Sequence, residues 1–479
     1  MHLTRVLRIT LCALLLLPVP GRAAPDRLPP QVQRELDIAG LPSSAISILV
    51  QGVDETRPRL AVHAGQPMAP ASLMKLLTTY AALDLLGPGY VWKTEAFIDS
   101  ALSDDILPGD LFLKGSGDPR LTQEQFWLLL RQLRARGLRD IRGDLVIDRS
   151  VFDVRAEDSQ PFDDQPLRPY NVGPDALLLN FKALRFTLVP RPARGSVDVV
   201  PEYRPDSLDV VNLVRLGTGD CGDWKEGLHA EQVKVDSGFR LTLTGTYPAA
   251  CGERDWMLGV LPGDDYIGSM FRDQWRLLGG RFEGRVRSGT VPFNATRVAS
   301  IESPPLGQVV RDINKYSNNV MARQLYLTLG MEAGRKPARP ADAEAVIRTW
   351  LAVKGLHFPE LVLENGSGLS HAERISADSL GKLLRSVWTS PIMPELLASL
   401  PVVAIDGTMK NRLAESHVRG QAHIKTGTLD GVKAIAGFVR SRSGKYFIVA
   451  CIINHPGAAA AQVAQDTLLK WVFLLPDRT

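Results

Sequence analysis

Between residues 72 and 87 the chain reads SLMKLLTTYAALDLLG, with apolar residues at helical spacing and neither Gly nor Pro before Gly87. That pattern predicts a helix. Residues 31–38 predict a shorter one, followed by two strand-like runs, SSAISILV at 43–50 and PRLAVHAG at 58–65. Between residues 100 and 300 the texture changes. Runs such as DLFLKG, GDLVIDR, FTLVP, SVDVVPEY, FRLTLTGTYPA and WMLGVLPGD are divided by Gly, Pro and Asp, which is the grammar of a β-rich region. From Pro304 helical periodicity returns in NKYSNNVMARQLYLTLG, PADAEAVIRTWLAVKG, ISADSLGKLLRSVWTS and PIMPELLASL. Two strand runs, 434–440 and 445–453, then flank a polar SRSG turn, and AAAAQVAQDTLLKWVFLL predicts a closing helix.

This order predicts a split domain. Residues 24–95 and 300–479 would build one α/β (α+β) layer, with 96–299 inserted as β-rich lobes. The last two strands form a meander and not a βαβ unit, so the sheet is expected to be antiparallel, flanked by helices. No Gly-rich phosphate loop follows a strand, and KGSGDPR at 114–120 reads as a turn. The apolar stripe of the closing helix is expected to cover the neighbouring strands and not to seek a membrane.

Composition changes the picture mainly through the first residues. An n-region with Arg5 and Arg8, an apolar stretch at 9–19 and the small residues before Pro25 have the order of a secretory leader, expected at residues 1–23. The apolar stretch is too short to span a bilayer. Removing Arg5, Arg8 and Arg22 takes the formal charge from +4 to +1, so the basic balance argues for neither nucleic acid nor an anionic membrane. The expectation is a soluble, exported, most simply periplasmic protein. Cys221 and Cys251 flank a polar, Gly-rich segment and are candidate disulfide partners in an oxidising space, while Cys451 reads as a buried thiol. The eight histidines make no short-spacing metal motif, so no metal is expected.

Three short elements carry chemistry. Ser72 and Lys75 stand one helical turn apart, so the amine can take the hydroxyl proton if burial or nearby positive charge lowers its pKa. The plain alternative is a helix-capping serine with an incidental lysine. In KYSNNVM, Ser317 can relay a proton and Asn319 can hold an amide, against the alternative of a turn or cap cluster. In KTGT, Lys425 offers charge, Thr426 and Thr428 hydroxyls, and Gly427 the absence of a side chain where a ligand lies along a strand edge. The alternative there is an exposed strand. Ser367 in NGSGLS lacks a nucleophile-elbow context and reads as a loop residue, with Gly366 and Gly368 permitting a tight turn. Asp406 and Lys410 read as part of a structural turn.

Serine-x-x-lysine, serine/asparagine and lysine-threonine-glycine in this order resemble the penicillin-binding proteins and serine β-lactamases. Within them the chain resembles the D-alanyl-D-alanine carboxypeptidase/endopeptidases of the S13 peptidase family. It shares the long insertion and the segments DLFLKGSGDPRLT, ENGSGLS and AIDGTMKNRL. Asn365 and His371 stand where that family usually has aspartate and arginine.

The resemblance implies a serine β-lactamase/transpeptidase-like fold with a five-stranded antiparallel sheet. It implies Ser72 as nucleophile, Lys75 as base and Ser317 as proton relay. Asn319 and Thr428 would contact substrate, Lys425 and Thr426 would anchor a terminal carboxylate, and the backbone N–H groups of Ser72 and Thr428 would form the oxyanion hole. The implied partners are peptidoglycan pentapeptides and crosslinked muropeptides as substrates and β-lactams as inhibitors; no cofactor is implied and oligomeric state stays open. A peptidoglycan-binding scaffold and a β-lactamase are the competing readings.

Overall fold

A computed structural model describes residues 26–155, 160–236 and 238–477. The leader expected at 1–23 lies outside the described residues. A central sheet unites the two ends of the chain. Its strands are β1 (Ile46–Gly52), β2 (Leu60–Val62), β3 (Ala422–Leu429), β4 (Val432–Arg440) and β5 (Tyr446–Asn454). They lie in the order β3-β4-β5-β1-β2 with every pairing antiparallel.

Register follows from two-sided burial. In β5, Ile448, Ala450 and Ile452 face one apolar core while Phe447, Val449, Cys451 and Ile453 face another. A one-residue slip would exchange the two sets. The first core is completed by the helices Met74–Leu86, Leu306–Tyr316, Asn319–Glu332 and Ala377–Trp388. The second is closed by Pro30–Ile38 and Gln462–Phe473, through Val32, Leu36, Leu468, Leu469 and Val472. The apolar stripe of the closing helix is thus spent on the sheet. Among the described residues no helix is long and apolar enough to cross a membrane.

Met74–Leu86 runs through the middle of the helical layer. Its residues from Met74 to Leu83 are all buried, polar Lys75, Thr78 and Thr79 among them. A helix apolar nearly all round has no solvent face to offer its polar side chains, so each needs a partner inside the protein. Thr79 Oγ1 donates to the Lys75 carbonyl (2.6 Å), and Thr78 Oγ1 donates to the Gly366 carbonyl (2.6 Å).

The intervening region leaves and rejoins this body on adjacent strands, Lys93–Ile98 and Thr296–Glu302, which pair antiparallel with Lys93 opposite Glu302. Entry and exit therefore sit side by side, which lets a long segment be inserted without disturbing the central sheet. The region holds sheets of seven, five and three strands around an apolar core of its own. Beside these sheets the stretch also contains the helices Gln123–Ala135 and Gly263–Leu277, which the strand-like runs did not announce. In the first, Phe126, Leu129, Leu130 and Leu133 are buried at helical spacing. That periodicity was present in the sequence but lay among many β-prone runs.

Cys221 and Cys251 form a disulfide, and Cys451 is a buried free thiol in β5. The bridge closes a loop with a sequence separation of 30. Replacing both cysteines by serine is expected to lower the stability of the inserted region by on the order of 3 kcal/mol. Denaturant unfolding followed at the Trp224 and Trp256 fluorescence would show it as an earlier midpoint.

Candidate active site

Ser72 lies in the 3-10 turn Ala71–Leu73 that leads into Met74–Leu86. Ala71 takes a left-handed conformation, φ 47°, which for a non-glycine residue must be held by its surroundings. The clamp is close. A Cβ on Gly368 would stand 1.9 Å from the Ala71 carbonyl oxygen, and one on Gly427 would stand 2.8 Å from the Pro70 carbonyl oxygen and 3.2 Å from the Ser72 nitrogen. Two glycines therefore let a loop and strand β3 press on the turn from either side.

Lys75 Nζ donates to Ser72 Oγ at 2.9 Å, to Asn319 Oδ1 at 2.6 Å, and to the carbonyl of Ser367. Its three protons meet three neutral acceptors. With the side chain fully buried, desolvation holds the Lys75 pKa well below the ordinary lysine value, and the charge of Lys425 pushes it the same way. Glu373 opposes the shift and Arg323 adds to it. A lysine so placed can accept a proton from a neighbouring hydroxyl.

Lys425 sits on β3, equally buried, and donates to Ser317 Oγ (2.9 Å) and to the Thr426 carbonyl (2.8 Å). Burial pushes its pKa down to about 7. In the same dry cleft the charge of Lys425 favours the neutral form of Lys75. Thr426 Oγ1 donates to Thr408 Oγ1 at 2.7 Å, and the Thr428 side chain is exposed at the strand edge.

Ser317 occupies a left-handed position, φ 56°, between Leu306–Tyr316 and Asn319–Glu332. Asn318 caps the second helix, accepting from the Met321 N–H at 3.1 Å. The capping reading of this cluster and its site reading both hold, for different residues. Ser317 rests on Lys425 and not on Lys75, and Asn319 directs its oxygen to Lys75.

The structure thus brings Ser72, Lys75 and Asn319 into one cluster and Ser317, Lys425 and Thr426 into an adjoining one, with Gly427 where they meet. Sequence reasoning underweighted the loop at 364–370. Asn365 Oδ1 accepts from the N–H (3.0 Å) and hydroxyl (2.6 Å) of Ser367, shaping the turn whose carbonyl meets Lys75. Glu373, fully buried, accepts from the backbone N–H groups of Glu364, Asn365 and Gly366, each at 3.1 Å. No spacing pattern pointed to it. His371 stacks on Phe162 with ring centroids 4.2 Å apart. Asp406 is structural, as its sequence context indicated. It accepts from Lys315 Nζ (2.7 and 2.8 Å) and from the Val402 N–H (2.8 Å), tying the helix end before Ser317 to the segment preceding β3.

The family model described as the D-Ala-D-Ala carboxypeptidase 3 (S13) family matches residues 31–473. A D-alanyl-D-alanine carboxypeptidase of Actinomadura sp. (strain R39) is 30% identical over 421 residues, which cover 84% of this chain and 76% of that protein. The crystal structure of penicillin binding protein 4 (dacB) from Haemophilus influenzae superimposes with a TM-score of 0.76 at 22% identity, covering 93% of this chain and 99% of that one. The same H. influenzae protein complexed with a novel β-lactam gives a TM-score of 0.74 at 22% identity, covering 93% and 100% of the two chains. At these identities the structural likeness speaks for the fold.

The contact at Gly427 is open to a direct test. Gly427→Ala would place a methyl 2.8 Å from the Pro70 carbonyl and force β3 away from the Ser72 turn. Labelling of Ser72 by a fluorescent penicillin is expected to slow by on the order of 10²-fold, the effect of a displacement of about 1 Å at a reacting centre. An unchanged labelling rate would mean that the approach of β3 does not matter.

Proposed function

The chain belongs to the D-Ala-D-Ala carboxypeptidase 3 (S13) family, and from that premise we propose that it is a serine D-alanyl-D-alanine carboxypeptidase acting on peptidoglycan stem peptides through an acyl-enzyme on Ser72. The observation that carries this reading is the 2.9 Å hydrogen bond from Lys75 Nζ to Ser72 Oγ, made by a wholly buried lysine whose pKa is depressed. A hydroxyl beside such an amine is a nucleophile in waiting.

In the reaction, Lys75 Nζ accepts the Ser72 proton as Oγ attacks the carbonyl of the penultimate D-alanine. The developing oxyanion is held by the backbone N–H groups of Ser72 and Thr428. Lys425 and the hydroxyls of Thr426 and Thr428 anchor the terminal carboxylate, for which a charged donor beside a hydroxyl is a strong partner. Asn319 steadies Lys75 with its oxygen and offers its Nδ2 to a substrate carbonyl. As the C–N bond breaks, Ser317, which rests on Lys425 in the free enzyme, turns to relay: its hydroxyl gives its proton to the leaving nitrogen and takes the one held by Lys75, so that D-alanine departs and Lys75 is neutral again. Water then gives a proton to Lys75 as its oxygen bonds to the ester carbonyl carbon, and Lys75 returns that proton to Ser72 Oγ as the C–Oγ bond breaks. A penicillin reacts at the same hydroxyl, but its leaving amine stays tethered beside the ester. In crosslinked muropeptides the same carbonyl carries a larger leaving amine, so D,D-endopeptidase cleavage is the same chemistry on a second substrate class.

The Cys221–Cys251 disulfide suits an oxidising, exported compartment, where peptidoglycan lies; the periplasm is the location proposed. Residues 24–95 with 300–479 form the catalytic unit in this reading, and 96–299 the inserted one.

Intact mass after incubation with benzylpenicillin, followed by digestion, tests the proposal. A persistent adduct on Ser72, lost in Lys75→Ala with the fold retained, is expected, together with release of D-alanine from a pentapeptide ending in D-Ala-D-Ala. Folded protein with no adduct and unchanged antibiotic would favour a binding scaffold and overturn it. Rapid antibiotic hydrolysis without an adduct would make the protein a β-lactamase.

The pH profile provides a further check. As pH rises through about 7, Lys425 loses its proton in the free enzyme, and the substrate carboxylate loses its anchor. Carboxypeptidase kcat/KM is expected to fall on that limb through a rising KM, with kcat preserved because bound carboxylate keeps Lys425 charged. Lys425→Arg stays charged throughout, so the limb should vanish even though the altered donor geometry lowers the rate.

A further inference from the structure

Glu373 is a buried titratable group of the loop that meets Lys75, and the mechanism above does not use it. Its carboxylate is inaccessible, and burial raises its pKa despite three backbone donors. Burying a carboxyl group without a directly paired cation is unfavourable. Three N–H donors on a single oxygen could be served equally by an amide, so the hydrogen bonds alone do not explain an acid.

Its neighbours offer a reason. Oε1 gathers the N–H groups of Glu364, Asn365 and Gly366. The carbonyl of Gly366 receives Thr78 Oγ1, and the next carbonyl, that of Ser367, receives Lys75 Nζ. The turn gripped by Glu373 is therefore the one that holds Lys75 against Ser72. Oε2 has no hydrogen-bond partner among the described residues, and neither has the buried hydroxyl of Tyr326, whose ring lies against Gly366. Among the described residues Glu373 is an acid whose charge acts on Lys75, opposing the cations Lys425 on β3 and Arg323 on the helix Asn319–Glu332. Glu373 itself faces the charge of Glu364 on the same loop. The resemblance to the S13 family led to an acid at position 365, which here is an amide. The loop's buried carboxylate stands eight residues later.

We propose that Glu373 is a positioning residue of the acyl-transfer site: its carboxylate both grips the turn that seats Lys75 beside Ser72 and supplies the negative charge that balances Lys425 and Arg323 around that amine. This rests on the reading of Lys75 as the base. The carboxylate favours the ammonium form, so it sets the pH at which Lys75 becomes a free amine. Removing the charge moves that point down, and adding a second carboxylate to the loop moves it up.

The test is the pH dependence of Ser72 acylation by a fluorescent penicillin, measured by stopped flow on the full chain. Glu373→Gln keeps an acceptor for the three N–H groups but removes the charge, and the acidic limb is expected at lower pH than in the wild type. Asn365→Asp keeps Glu373 and adds charge beside Ser367, and the limb is expected at higher pH. Asn365→Asp combined with Glu373→Gln should bring it back toward the wild-type position. Glu373→Ala, which also releases the turn, should slow acylation by on the order of 10²-fold. Should the Glu373 single variants not fold, the double variant compared with Asn365→Asp still decides, because the two differ only in the charge at 373. A limb that stays fixed while only rates change would overturn the proposal and leave Glu373 a purely structural clamp. Wild-type protein that is not acylated at all would instead sink the proposed function itself.

Discussion

Two lysine side chains, Lys75 and Lys425, are buried in one cleft, and among the described residues neither is directly paired with a carboxylate. Placing two ammonium groups in a dry site is unfavourable unless each is solvated by the protein or gives up its proton. The rest of the site can be understood as the answer to that constraint. Lys75 receives a hydroxyl, an amide oxygen and a main-chain carbonyl, and Lys425 receives a hydroxyl and a carbonyl. Such acceptors are neutral, so they orient the amines without restoring full charge, and a lysine in that condition can act as a base at moderate pH.

Supplying those acceptors takes three distant parts of the chain. The helix Met74–Leu86 has no solvent-facing side on which Lys75 could escape. Strand β3 is held at its register by the antiparallel ladder to β4, with Lys425 opposite Ala436 and Gly427 opposite Ala434. The junction at Ser317 is pinned by Lys315 and Asp406. Closeness is then a matter of missing atoms. Gly368 and Gly427 leave no Cβ where a loop and a strand meet the Ser72 turn, which is why the three parts can converge within hydrogen-bond distance.

The legibility of these features varied with the range of the interaction. Ser72 and Lys75 share a helical face at a separation of three, so their contact follows from the period of the helix. The antiparallel sheet followed from the two closing strands forming a meander, and the burial of the closing helix from its apolar stripe lying next to strands that need covering. The helix Gln123–Ala135 had its own periodic signal but was read through the β-prone runs around it. Ser317 was read as a proton relay, and its hydroxyl lies on Lys425. A side-chain direction of that kind depends on the left-handed backbone at Ser317, which residue type does not announce. Glu373 carried no sequence signal, because its three partners are main-chain groups that any residue would provide.

By itself, then, the sequence determined which chemical groups the protein possesses and the local elements that carry them: a serine and a lysine on one helix, a serine and an asparagine at a helix junction, a lysine, threonine and glycine on an edge strand. Periodicity and residue type are local properties, and these conclusions needed nothing more. Only the tertiary structure decided which lysine meets which hydroxyl, that both lysines are buried enough to be depressed in pKa, and that an acid at 373 acts on one of them. Desolvation and electrostatics depend on everything packed within several ångströms, and along this chain those neighbours come from segments hundreds of residues apart.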